Sequence, residues 1–162
     1  MANTQAMCTS FKGQLLTATH NFGTAPTRAV TTADTFYAAL FLASATMNAS
    51  TTAYTGTVGS VAMSGEVSGT GYTPGGVAVT NSTAPTTSGT TAYWTPSASI
   101  TYTSVTLSTA FDAVFIFNNS QGSSGNRPGV SVHTFNSQTI TAGNFTLTMP
   151  VNDSSNALIR LV

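Results

Sequence analysis

Ionised side chains are scarce in this sequence. Its 162 residues hold four Lys and Arg against four Asp and Glu, 5 % of the chain, where a soluble domain usually carries about a quarter. The cations Lys12, Arg28, Arg127 and Arg160 are scattered and form no basic cluster. Binding to a phosphate backbone draws on clustered Lys and Arg, so no direct nucleic-acid partner is expected. Long apolar runs are missing too. The longest nearly uncharged one, Phe36 to Ala45, is too short to span a bilayer, and Met1-Ala2-Asn3-Thr4 has neither the basic start nor the apolar run of a signal peptide. The expectation is a chain made in a cytoplasm that has no membrane partner. Cys8 is the only cysteine, which excludes an internal disulfide.

Catalysis is poorly provided for. General acid–base chemistry needs titratable groups within reach of one another, and the supply is four carboxylates, two histidines and one thiol. Asp34 and Asp112 read as acids that end a turn before a strand or bond a backbone N–H. Glu66 falls in a glycine-rich loop and Asp153 in a turn, Asn152-Asp153-Ser154-Ser155-Asn156. His20 follows a short helix, and His133 lies on the polar side of an alternating strand. Neither has a second ligand at zinc spacing. Gly69-Thr70-Gly71 lacks the Gly-Lys-Ser/Thr of a phosphate loop, and Gly122-Ser123-Ser124-Gly125 misses the spacing of a nucleophile elbow. No enzyme activity, metal or cofactor is expected.

What the chain does have is period-two hydrophobicity in short runs divided by Gly, Pro, Asn and Ser, the pattern of an all-β protein. In Asn144 to Pro150, Phe145, Leu147 and Met149 alternate with Thr146 and Thr148. Val130 and Val132 alternate with Ser131 and His133 in a preceding strand, and Thr139 to Gly143 reads as the connection. Phe36 to Leu42 and Ala113 to Phe117 are apolar on both faces and suit central strands, with helix the rival reading for the first, since Ala and Leu favour it. Between Ile100 and Leu107 the alternation slips by one residue, which predicts a bulge near Thr103-Ser104. Further strands are expected at Val77 to Asn81, at Thr91 to Thr95 and at the close of the chain, Ala157 to Val162. Gly65 to Gly76 holds five glycines and one proline and reads as a turn-rich loop. Only Ser10 to His20 reads as helix, with Thr9 or Ser10 as cap. The sum is a β-sandwich or jelly-roll-like domain of about eight strands, residues 21–162, preceded by an arm or short helix over residues 1–20.

An edge strand offers unpaired N–H and C=O groups, and monomers blunt that hazard with charge, proline or bulges. Val77 to Thr80, Thr101 to Thr103 and Phe145 to Met149 carry no charge. Burying Thr and Ser against a neighbour costs less desolvation than burying Lys or Glu, so the composition suits permanent contacts between subunits. Met7, Phe11, Tyr54, Tyr72, Trp94 and Arg127 are the candidate contact residues: an uncharged arm, aromatic anchors and one cation in a tight loop. Trp94, Tyr93, Tyr102, Tyr54 and Tyr72 are the candidates for a sugar-stacking platform, against a role as core or interface anchors.

Several stretches together resemble a family of small tailed-bacteriophage virion proteins. They are Met1 to Thr4 with Met7 to Lys12, Asp34-Thr35-Phe36, Ala49 to Tyr54, Gly65 to Tyr72 with Gly75-Gly76, and Ala142 to Phe145 through Asn156 to Arg160. Glu66-Val67-Ser68-Gly69-Thr70-Gly71-Tyr72 is the most specific part. Gly56 to Met63 stands as an insertion against the family pattern, and Pro128 is unusual. The resemblance implies a virion structural component, a capsid cement or decoration protein of the expanded head, whose partners would be the major capsid protein and copies of itself, in a homotrimer. The alternatives are a host-glycan-binding module of a tail or head fibre and another tail structural subunit.

Overall fold

The structure is a computed structural model and describes residues 3–16, 19, 20, 22 and 33–162. Arg28 and the expected domain boundary after residue 20 lie outside the described residues. Among them run nine strands and one helix: β1 Ala6–Met7, α1 Thr9–Leu16, β2 Phe36–Leu42, β3 Ala53–Tyr54, β4 Val77–Val79, β5 Thr86–Ser88, β6 Thr91–Trp94, β7 Ile100–Asn118, β8 Arg127–Leu147 and β9 Ile159–Leu161. The expected all-β sandwich is present as two antiparallel sheets. One has the order β1-β8-β7-β2-β4, with β3 also paired to β8, and the other is β5-β6-β9.

Phe36–Leu42 and Ala113–Phe117 take the central places their two-sided apolar pattern requires. They pair with each other, and β8 and β4 flank them. Phe36, Phe41, Phe111, Phe115 and Phe117 are fully buried, each worth about 1.5–3 kcal/mol of transfer free energy. Tyr54 stacks on Phe117 with centroids 4.3 Å apart. Gly129 has to be glycine, because a Cβ there would stand 2.7 Å from the Phe115 ring. Trp94 joins the two sheets. Its ring lies 6.0 Å from that of Phe36, and its Nε1–H donates to the Thr83 carbonyl at 2.8 Å.

The β7–β8 hairpin curls over itself. Ile100 and Leu147, at its open end, line one small cavity with Val114 and Ile116 from its middle. Bulges permit the curl, since they strengthen twist and re-aim side chains. The expected slip at Thr103-Ser104 is one of them: the register shifts between Tyr102 and Val105, and Ser104 takes φ 53°.

Three expectations are corrected. Thr139 to Gly143 is no connection. β8 runs through it as one strand, because Ala142 takes φ 46° in a bulge and its N–H finds the Thr106 hydroxyl at 3.0 Å. The helix is described over Thr9–Leu16, and His20 is not helical. Asp112 does not precede its strand but lies inside β7, where its carboxylate accepts from the Asn3 amide.

Candidate assembly surface

Two polar features organise the face where the curled hairpin meets the glycine-rich loop. The first is Glu66, 6 % exposed. Its Oε2 accepts from the Tyr54 hydroxyl and the Met63 N–H, both at 2.8 Å. Its Oε1 accepts from the Tyr72 hydroxyl at 2.8 Å and the Gly75 N–H at 2.6 Å. Four donors around one buried carboxylate replace the water it has lost. Tyr72 extends the network by accepting the Leu40 N–H at 3.0 Å. Burial, reinforced by Glu66, pushes the Tyr54 and Tyr72 phenols above their ordinary range.

Glu66 thereby holds a loop that is exposed on its outside. Leu42 donates to Gly65 O at 2.9 Å, Val67 donates to Leu40 O at 3.0 Å, and Thr106 donates to Thr70 O at 2.9 Å, so the loop covers the end of β2 and the outer edge of β7. The close approach accounts for two glycines. A Cβ on Gly69 would sit 2.0 Å from Thr106 O, and one on Gly71, where φ is 78°, would sit 2.4 Å from Ser104 O.

The second feature is the outer edge of β8. β3 covers it at Arg127 and Pro128, and β1 covers it at Ser131 and Val132. Beyond Val132, no described backbone group is paired to it. From Phe145 to Leu147 the strand is in register with β7, and between Gly143 and Phe145 it faces the Thr103-Ser104 bulge, where Asn144 Oδ1 accepts the Ser104 N–H at 2.8 Å; Asn144 and Thr146 are exposed, while Phe145 and Leu147 are half-buried. The sequence carries no formal charge between Arg127 and Asp153.

The surface is poorer in charge than the composition implies, because Asp34 and Glu66 are buried. Asp34 accepts from the amides of Asn118 at 2.7 Å and Gln121 at 3.0 Å. Asp153 is held below the usual carboxylate range by hydrogen bonds from the Asn156 side chain and the Ser155 and Asn156 N–H groups. It organises its own turn.

Three of the six candidate contact residues lie inside this chain. Phe11, Tyr54 and Trp94 are 1 %, 0 % and 2 % exposed, so their side chains belong to this chain's own core. Arg127 is half-buried and donates from Nη1 to the Asn119 carbonyl, which ties it to its own loop. Met7 and Tyr72 are partly buried against the core. The sugar platform fails for the same reason as the aromatic anchors. Tyr102 is 2 % exposed, and no aromatic ring among the described residues is fully exposed. Of the three uncharged runs read as possible edges, Phe145 to Met149 includes the open one; which run is left open is a property of the topology.

A cleft of about 440 Å³ lies between β1, β8 and β9. On its wall the Ser131 hydroxyl and His133 Nε2 are 2.9 Å apart. Ser131 is 3 % exposed, and no described carboxylate is hydrogen-bonded to the His133 ring, so the pair lacks the orienting group of a nucleophile–base system. Burial pushes the His133 pKa down to about 4 and that of the Cys8 thiol up to about 12. Among the described residues no cluster of His, Cys, Asp and Glu is arranged to hold a metal, and no helix is long and apolar enough to cross a membrane. Comparison with protein-family models, curated proteins and solved structures finds no match.

Proposed function

We propose that this chain is a structural subunit of a tailed-bacteriophage virion, a capsid cement or decoration protein that stabilises the expanded head, with the major capsid protein and further copies of itself as partners. The observation that carries the reading is the exterior: two of its four acids are buried, and the open edge of β8 belongs to a stretch without a formal charge. A freely diffusing domain keeps like copies apart with surface charge and protects its edges with it. An exterior of Thr, Ser and small residues lowers the desolvation cost of permanent contact. The Glu66-held loop adds a contact element ordered in advance, which reduces the entropy lost on docking.

The mechanism is linkage. A protein that binds only the expanded lattice stabilises that lattice by RT ln(1 + L/Kd) per site, where L is its free concentration. Particles stripped of the protein are expected to rupture at a lower temperature than complete ones, and to recover when it is added back. Equal rupture temperatures with and without it contradict cementing.

A further inference from the structure

We propose that the outer edge of β8 at Gly143–Leu147 pairs antiparallel, about a two-fold axis, with the same segment of a second copy. The inference deepens the virion reading by naming a contact, and it rests on that reading for its setting. The edge itself specifies the chemistry of its occupant, because a row of unpaired N–H and C=O groups is satisfied along its length only by another extended backbone.

Three observations select a second copy. Homotypic pairing sets each residue beside a copy of itself or of a near neighbour, where like charges would repel. Asn144, Thr146 and the residues between them carry none. The apolar row of β8 is also incomplete. Phe145 and Leu147 are half-buried, whereas their β7 partners Tyr102 and Ile100 are each 2 % exposed, and a continuing sheet would flank that row on its open side. The opposite end of the sheet offers no matching edge, since β4 is only three residues long and the carbonyl of Thr80 beyond it already accepts from Ser97. Head-to-tail pairing of β8 with β4 would therefore be short, and self-pairing uses the longer edge twice. The bulge at Ala142 bounds the contact, and five residues span about 17 Å. So small a contact gives a reversible dimer at the upper end of a concentration series and gains strength where a lattice holds many copies close together.

The test is sedimentation velocity of the purified full chain over a concentration series, with two double variants, N144K/T146K and N144E/T146E. Pairing centred on Phe145 sets residue 144 opposite residue 146 of the second copy. The wild type is expected to associate reversibly. Each variant alone should dissociate about tenfold more readily, and an equimolar mixture of the two should recover association, as opposite charges now face each other. Recovery on mixing also shows that both variants are folded, and unchanged far-ultraviolet circular dichroism gives a second check. A wild type that remains monomeric throughout, or variants that associate as well as it does, overturns the pairing. Particle content separates the two proposals: a monomer found on purified virions removes the pairing and leaves the virion role, while a pairing protein absent from virions does the reverse.

Discussion

The two outer edges at the open end of the β7–β8 hairpin receive opposite treatment. Along β7 the glycine-rich loop closes in, with Thr106 bonded to Thr70 and the whole loop held by four hydrogen bonds to Glu66. Along β8, a few ångströms away across the ribbon, no described residue covers Gly143–Leu147. Both edges are equally uncharged, so composition does not separate them. The difference is a buried carboxylate with its two tyrosines, present on one side and absent on the other. An edge closed at the expense of a buried charge belongs to the fold, and an edge left open in the same ribbon is available to a neighbour.

The largest expected effect comes from opening the closed edge. Glu66→Ala removes the acceptor for two hydroxyls and two N–H groups, and strands them where water is scarce. We expect a loss of about 4 kcal/mol in chemical denaturation, independent of protein concentration. Glu66→Gln keeps the size of the side chain but turns one acceptor into a donor, and should cost roughly half as much.

Acid comes next. His133 follows the last residues that β1 covers, and burial holds its pKa at about 4 when folded, against about 6.5 in an unfolded chain. The folded state binds protons less readily, so its stability is complete above pH 6.5 and declines as the pH falls from there towards 4. The integrated loss is about 3 kcal/mol. Denaturant midpoints measured across this range should fall in the wild type and flatten in His133→Gln.

Gly71→Ala sharpens the comparison without touching a charge. Its positive φ and the Ser104 carbonyl in the path of a Cβ predict about 2 kcal/mol of destabilisation, with the hydrogen-exchange protection of Thr106 reduced. The smallest effect belongs to the open edge. Thr146→Lys should change monomer stability by no more than about 0.5 kcal/mol, because that side chain is exposed, its one hydrogen bond, with the Thr101 hydroxyl at 3.1 Å, is open to solvent, and its backbone edge is not paired by any described residue.

The strands were largely legible because period-two alternation reports a buried face directly. Phe145–Leu147 follows it, Phe36–Leu42 and Ala113–Phe117 instead show the continuous apolar runs of central strands, and the phase slip at Thr103-Ser104 appears as a bulge. β5 was not legible, since Thr86–Ser88 is exposed throughout and has no apolar residue to mark a face. Neither was the continuity of β8 through Thr139–Gly143, where a left-handed alanine does what usually falls to a turn glycine. The role of Glu66 was hidden for another reason. Its partners Tyr54 and Tyr72 stand twelve and six residues away, spacings that no single helix or strand reads as a common site. The burial of Phe11, Tyr54 and Trp94 was not legible, because an aromatic looks the same in sequence whether it faces its own core or a neighbour.

The central claim is that this charge-poor exterior is covered by neighbouring subunits in its working state. The most direct measurement is the copy number of the chain in purified particles of the virion proposed to contain it, by quantitative mass spectrometry. The account predicts a high copy number set by the symmetry of the shell. Particles that mature without the protein would contradict it.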